Sequence, residues 1–168
     1  MSCLSFCEDI ELHLNALDPS PNATFTIETY TDIDKEAGEQ KQAPDPLQNI
    51  FRGVSKEQIA HLLPQLRDLN NAGAGVFVAV NQFNQRRRKK DINRIRAVHA
   101  DFDSVDKTRL AELYAKVAPS IVVKSSPGKF HYYYLVNDDA LTTEQAEIIN
   151  RKFVSDYGAE KAAIDVTR

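Results

Sequence analysis

Two aspartates one residue apart, Asp101 and Asp103, close the run Arg-Ile-Arg-Ala-Val-His-Ala-Asp-Phe-Asp at residues 94–103. The apolar residues before them predict a buried strand. Side chains alternate faces along a strand, so Asp101 and Asp103 project together, while Val98, Ala100 and Phe102 project to the opposite face. Two like charges side by side at a strand end are costly unless a cation sits between them. Hard divalent cations favour carboxylate oxygens, so metal-assisted chemistry is what this pair suits. Taken alone, Asp-x-Asp also describes a solvated strand end, and it serves nucleotidyltransferases and sugar-nucleotide transferases alike.

Three further stretches carry chemistry. Ser125, Ser126, Pro127, Gly128 and Lys129 predict a tight turn leading into a strand that holds His131. Gly128 lets backbone approach a ligand, and turn N–H groups, serine hydroxyls and the Lys129 ammonium all suit phosphate. Alternation puts His131 on one face with Lys129 and Tyr133, and Phe130, Tyr132 and Tyr134 on the other. An ordinary hairpin with a satisfied histidine fits the same residues. Asp165 follows Ile164 at the end of a short apolar run, where a third carboxylate would complete a two-metal set. Arg86, Arg87, Arg88, Lys89 and Lys90 are five adjacent cations, with Arg94 and Arg96 close by. Such a run is a solvated face, a phosphate contact or a nuclear-targeting signal, and adjacency to a metal site favours phosphate. His99 shares the face of Asp101 on a regular strand, either lining the site or serving as a buried structural histidine.

The surrounding pattern predicts the elements that hold these residues. Phe6, Ile10, Leu14 and Leu17 have helical spacing, ended by prolines at 19 and 21. Residues 24–31 alternate as a strand. Residues 32–45 are charged and loop-like, and 47–51 suggest a short helical turn. Ser55 and Gln58 form a capping box for a helix with Ile59, Leu62, Leu63, Leu66 and Leu69 inward. Residues 76–80 predict a central strand, and 81–93 a polar loop. A helix over 106–118 with Leu110, Leu113, Tyr114 and Val117 inward follows. Next come the hairpin at 120–136, a helix capped at Thr142 or Thr143 and ended by Gly158, and a short strand at 162–166. The second half, strand-helix-strand-strand-helix-strand, is the split βαβ order. The class is α+β, an α/β sandwich with helices against a mixed sheet.

Composition narrows the partners less than the motifs do. A hydrophobic content of 42% against 27% charged residues is that of a folded globular chain with an adequate core. No apolar run reaches membrane-span length and the N-terminus lacks a signal-peptide pattern, so no membrane partner and a cytoplasmic location are expected. Cys3 and Cys7 have no neighbouring His or Cys to complete a zinc set, which favours a reduced pair. A net charge of −3 carries no general nucleic-acid signature, so any such contact must be local.

The combination resembles the archaeo-eukaryotic primase superfamily, and within it the RepB-like primase domain of plasmids and phages. The likeness runs through residues 72–81, 94–103, 125–134 and 157–168. It implies Asp101, Asp103 and Asp165 as catalytic ligands for Mg²⁺ or Mn²⁺, and His131 as a contact to the triphosphate of an incoming nucleotide. Lys129, Ser126 and Ser125 join His131 from the chemistry of the turn. The implied architecture is an RRM-like catalytic core over 94–168, a basic loop at 82–93 and an N-terminal α/β unit over 1–81. Together these make one primase domain. The family it resembles normally continues past the position of Arg168 into a further basic segment, so the chain is expected to be a core cut from a longer protein.

The implied reaction is template-directed joining of nucleoside triphosphates on single-stranded DNA. Arg86 to Lys90 would hold strand phosphates, and a replicative helicase is a plausible family partner. Three rival classes remain open: a non-catalytic RRM-like module binding through exposed aromatics, a replication-initiator endonuclease with a tyrosine nucleophile, and a sugar-nucleotide transferase. His131 lacks the second histidine that the endonuclease class commonly pairs with it.

Overall fold

The computed structural model describes residues 6–31, 45–103, 107–137 and 140–167. They fall into two compact units, Met1–Ala79 and Val80–Arg168. The loop expected at 32–45 lies outside the described residues except for Asp45, as do Cys3 and residue 106.

The first unit runs α1 (Phe6–Leu17), β1 (Thr24–Thr31), β2 (Asn49–Ser55), α2 (Lys56–Asn71) and β3 (Ala74–Val78). The capping box at α2 is complete: the Ser55 hydroxyl accepts the Gln58 N–H and the Gln58 side chain accepts the Ser55 N–H. Ile59, Leu63 and Leu66 are the stripe that α2 buries. Gly73, at φ +97°, turns the chain out of the helix in a conformation side chains resist. Two expectations are corrected in this unit. Residues 47–51 are not helical, because most of them belong to β2, antiparallel to β1. Side chains from β1 hold them extended: the Thr29 hydroxyl donates to the Leu47 carbonyl and accepts the Asn49 N–H, while Asp45 accepts from Thr31 and Leu47. The apolar run expected as a central strand is β3, at the edge of the order β2-β1-β3. Phe77 on it is exposed, and the centre is β1.

The second unit holds the candidate site residues. It runs β4 (Gln82–Phe83), a 3-10 turn (Lys89–Asp91), β5 (Ile92–Arg94), β6 (Ala97–Phe102), α3 (Lys107–Lys116), β7 (Ile121–Ser126), β8 (Lys129–Leu135), α4 (Thr143–Tyr157) and a second 3-10 turn (Lys161–Ile164). The sheet order β6-β8-β7 inserts β8 between the two strands joined by α3, which is the split βαβ arrangement. Its core face carries Val98, Ala100, Phe102, Tyr132 and Tyr134 against Leu113, Ala146 and Phe153 of the helices. The Thr142 cap and the left-handed Gly158 bound α4 at both ends. The α+β class stands, and every described strand pairing is antiparallel.

Four local expectations differ here. Residues 81–93 contain the small hairpin β4–β5 rather than loop alone, tied by the Asn84 N–H to the Asp91 carbonyl at 2.8 Å. Tyr114 and Val117 are exposed, since α3 is held mainly through Leu113 and the stripe is narrower than the spacing suggested. The turn between β7 and β8 is two residues, Pro127 and Gly128, with Gly128 at φ +82°. Ser125, Ser126 and Lys129 therefore lie on strands. Residues 162–166 are not a strand but a 3-10 turn and its exit.

That last difference has a definite physical cause. The edge of β6 away from β8 is closed by segment 160–166 through intervening amides. The Glu160 N–H donates directly to the Asp101 carbonyl at 2.8 Å. Two residues along β6, the His99 N–H donates to Asn150 Oδ1 (3.1 Å), and Asn150 Nδ2 donates to the Ala163 carbonyl (3.0 Å). Beyond it, the Arg96 and Ala97 N–H groups donate to Asn81 Oδ1, and Asn81 Nδ2 donates to the Val166 carbonyl (2.9 Å). The segment runs antiparallel to β6, with a side-chain amide occupying the gap that a ladder would close. Asn81 and Asn150 are each about 1% exposed.

Two stability measurements follow. Asn150→Ala strips partners from two buried backbone groups, each worth about 1–3 kcal/mol, so urea unfolding should show a loss near 3 kcal/mol. A loss below about 1 kcal/mol would remove the amide bridge from the account. Tyr134 stacks on Phe153 at 4.9 Å, and its hydroxyl has no hydrogen-bond partner among the described residues. Burial pushes its phenol above the usual tyrosine range, with Tyr132 and Tyr157 adding to the effect. The unfolded phenol ionises near its ordinary value of about 10 while the folded one stays protonated, so stability is lost as pH rises past about 10. Tyr134→Phe should hold or raise neutral-pH stability by up to about 1 kcal/mol and flatten that alkaline loss. Unfolding curves at both pH values check it.

Candidate functional site

The antiparallel register of β6 and β8 sets the site. Asp101 stands opposite His131 and His99 opposite Tyr133. Those residues share the face opposite the core cluster, because alternation sends Val98, Ala100 and Phe102 the other way. The strand bends after Phe102, so Asp103 leaves the sheet one residue beyond the ladder and meets Lys129.

Each carboxylate of the pair faces a cation or a potential cation. His131 Nδ1 lies 2.9 Å from Asp101 Oδ1, and Lys129 Nζ lies 3.4 Å from Asp103 Oδ2. The Asp101 side chain is 14% exposed and that of Asp103 48%, so the first pair is largely enclosed and the second is open to solvent. A buried His99 continues the row, its ring 6.3 Å from that of Tyr133. On β7, Val123 stands opposite His131, and an irregularity at Ser125 brings Ser126 opposite Lys129. The face thus grades from buried rings at His99 to open charge at Asp103.

Asp101 and Asp103 offer hard oxygen donors on one face, which suits a divalent cation. Among the described residues, however, no group of three or more His, Cys, Asp or Glu is gathered closely enough to hold a metal ion. Asp165 lines a different feature, an open cleft of about 590 Å³, and its carboxylate accepts the Thr167 N–H at 2.9 Å.

The basic run divides. Arg87 and Lys89 line that cleft, while Arg86, Arg88 and Lys90 are exposed and do not. Lys89 Nζ lies 2.5 Å from Glu147 Oε1 on α4, and this hydrogen-bonded partner holds the ammonium pKa above its usual value. Asp165 adds to that rise and Arg151 opposes it. At the start of α4, Glu144 is held below the usual carboxylate range, first by its own backbone N–H and then by Thr142.

Several residues in this region escaped sequence reasoning. Asn150 left a usable sign, a polar residue on the stripe of Ala146 and Phe153 at helical spacing. Glu147, Arg151 and Lys161 left none, since isolated charges on a helix face and a loop look like ordinary surface.

Comparison with known proteins adds the following. A family model described as the RepB DNA-primase N-terminal domain matches residues 53–168. Among solved structures, the chain is similar to primase RepB′ at 20% identity and a TM-score of 0.65, covering 95% of this chain and 46% of that one. The catalytic domain of primase RepB′ in complex with initiator DNA aligns at 21% identity and a TM-score of 0.63, covering 95% and 71%. The AEP domain of the cyanophage S-2L primase-polymerase aligns at 12% identity and a TM-score of 0.67, covering 96% and 78%. These likenesses carry the archaeo-eukaryotic primase fold. The chain spans less than half the length of RepB′. No curated protein matches in sequence. Among the described residues no helix is long and apolar enough to cross a membrane.

The openness of the Asp103–Lys129 pair sets a stability expectation. Exposed ion pairs contribute about 0–1 kcal/mol, so Asp103→Asn should unfold in urea within about 1 kcal/mol of the parent. A larger loss would mean that this carboxylate supports the fold.

Proposed function

Because the chain belongs to the family of RepB DNA-primase N-terminal domains, we propose that it carries the nucleotidyl-transfer site of a replication primase acting on single-stranded DNA. The observation that carries this reading is the paired row on β6 and β8, with Asp101 and Asp103 on one face against His131 and Lys129.

Asp101 and Asp103 would hold Mg²⁺ or Mn²⁺, whose chemistry is to lower the pKa of an attacking 3′-hydroxyl and offset charge on a departing pyrophosphate. Phosphoryl transfer leaves little covalent work to a protein, so positioning and charge are what the side chains supply. His131 and Lys129 are cations, or potential cations, that now face carboxylates. In this reading they turn to the triphosphate of the incoming nucleotide, with Ser125 and Ser126 as neighbouring hydroxyl donors. Asp165 is the proposed third carboxylate, supported by the amide-bridged docking of its segment along β6. Arg86 to Lys90 are the proposed contacts to strand phosphates. A replicative helicase partner belongs to the same proposal, on family grounds alone.

The rival RRM-type reading needs exposed aromatics on the sheet, yet Tyr132 and Tyr134 sit in the core cluster. The expected outcome for either Asp101→Asn or Asp103→Asn is a fall in primer synthesis of at least about 100-fold. The assay supplies Mn²⁺, nucleoside triphosphates and a single-stranded template, and near-parental unfolding curves accompany the loss. Primer synthesis at parental rates by either variant would sink the proposal.

A further inference from the structure

We infer that the cleft between the basic hairpin, α4 and the C-terminal 3-10 turn is a phosphate-binding subsite for a single-stranded nucleic acid, built by Arg87, Lys89, Arg151 and Lys161, with Glu147 as its internal counter-ion. The identity of the strand rests on the primase reading, whereas the phosphate chemistry rests on the cleft itself.

Three elements, the basic hairpin, α4 and the C-terminal 3-10 turn, bring four cations to one open cleft of about 590 Å³, against two carboxylates, Glu147 and Asp165. That excess of positive charge at a concave surface focuses potential toward an anion. The volume exceeds what one inorganic phosphate fills and lies in the range of small-molecule sites. Glu147 is partly buried, its side chain 13% exposed, and Lys89 reaches it from a position 57% exposed. An internal carboxylate therefore occupies Lys89, while Arg151 and Lys161 are exposed at the cleft. Glu147 and Arg151 stand one turn apart on α4, so a ligand bridging Arg151 and Lys89 passes directly over Glu147.

Phosphates of either a strand or a free nucleotide share this chemistry. The strand is favoured because exposed Arg86, Arg88 and Lys90 extend the positive charge beyond the cleft along the same hairpin. A polymer with regularly spaced phosphates can use both sets, and a single nucleotide cannot. The division of the run then acquires a meaning: alternate cations enter the cleft, and the others meet phosphates outside it.

The test is fluorescence anisotropy of a labelled mixed-sequence DNA oligonucleotide, in EDTA and without nucleotides, across a salt series. Binding is thus read apart from any metal-dependent reaction. Arg151→Gln and Lys161→Gln should each weaken binding about 3- to 10-fold and lower the slope of log affinity against log salt by about 0.7, the value for one lost single-strand phosphate contact. Glu147→Gln should do the reverse, tightening binding and steepening the slope. The control is Lys152→Gln. It removes the same charge one residue along α4, where Lys152 pairs with Asp156 and does not line the cleft. It should leave both readouts unchanged.

Equal losses from Lys152→Gln and Arg151→Gln would overturn the cleft in favour of diffuse attraction. So would parental binding by both Arg151→Gln and Lys161→Gln, or no binding by the parent. If those two variants spare the oligonucleotide but weaken metal-free calorimetric binding of a nucleoside triphosphate, the strand is overturned as the source of the phosphate. Arg151 and Lys161 are exposed, so loss of fold does not confound either variant. Failure of primer synthesis beside intact cleft-dependent binding would sink the catalytic reading alone.

Discussion

The amide bridges along the outer edge of β6 are the constraint from which the second unit is organised. A strand at a sheet edge carries backbone groups that must find partners or stay wet. Here β6 is at an edge, yet it is the most buried strand of its sheet and the one that carries Asp101. Asn81 and Asn150 resolve the conflict, because a carboxamide both accepts and donates, and so can span from one backbone to another. Each bridge joins residues far apart in sequence: Asn81 reaches Val166, and Asn150 connects α4 to both His99 and Ala163. The position of the C-terminal segment, and with it Asp165, follows from these two side chains together with the burial of Ala163 and Val166.

Much of the fold was legible because local and global signals agree. The capping box at Ser55, the cap at Thr142 or Thr143, the glycine at 158 and the alternation across residues 130–134 each predict what the structure contains. Two of the misread segments share one cause. Residues 47–51 and 162–166 are short, and their conformation is decided by partners elsewhere in the chain: Thr29 and Asp45 for the first, Asn81 and Asn150 for the second. Tyr114 and Val117 failed differently, since helical spacing reports which residues share a face but not how wide a face the neighbours cover.

The candidate site divides along the same line. The Asp101, Asp103, Lys129 and His131 row was readable because period-two alternation on two strands, joined by a Pro-Gly turn, leaves little freedom in which side chains meet. The five-cation run was visible as composition, but its division into cleft-lining and outward members was not. That division depends on the β4–β5 hairpin, whose strands are too short to leave a pattern. Charge compensation is then the theme of the site: Asp101 against His131, Asp103 against Lys129, Glu147 against Lys89. Each acid has a neighbour that lowers the cost of holding its charge in place.

The bridged edge also governs how this protein meets copies of itself. A bare strand edge is a template on which another chain can add by backbone pairing, and it is a common seed of aggregation. Two N–H groups of β6, those of Ala97 and His99, and that of Arg96 just before it are spent on asparagine side chains, and the covering segment is not itself a strand. A foreign strand approaching that side meets an irregular backbone, with the Ala163 and Val166 carbonyls already engaged, and finds no regular ladder to extend. Growth by pairing is left only to the far side, along β7. The substitution of side-chain amides for a ladder thus makes the edge of the sheet that carries Asp101 the protected one.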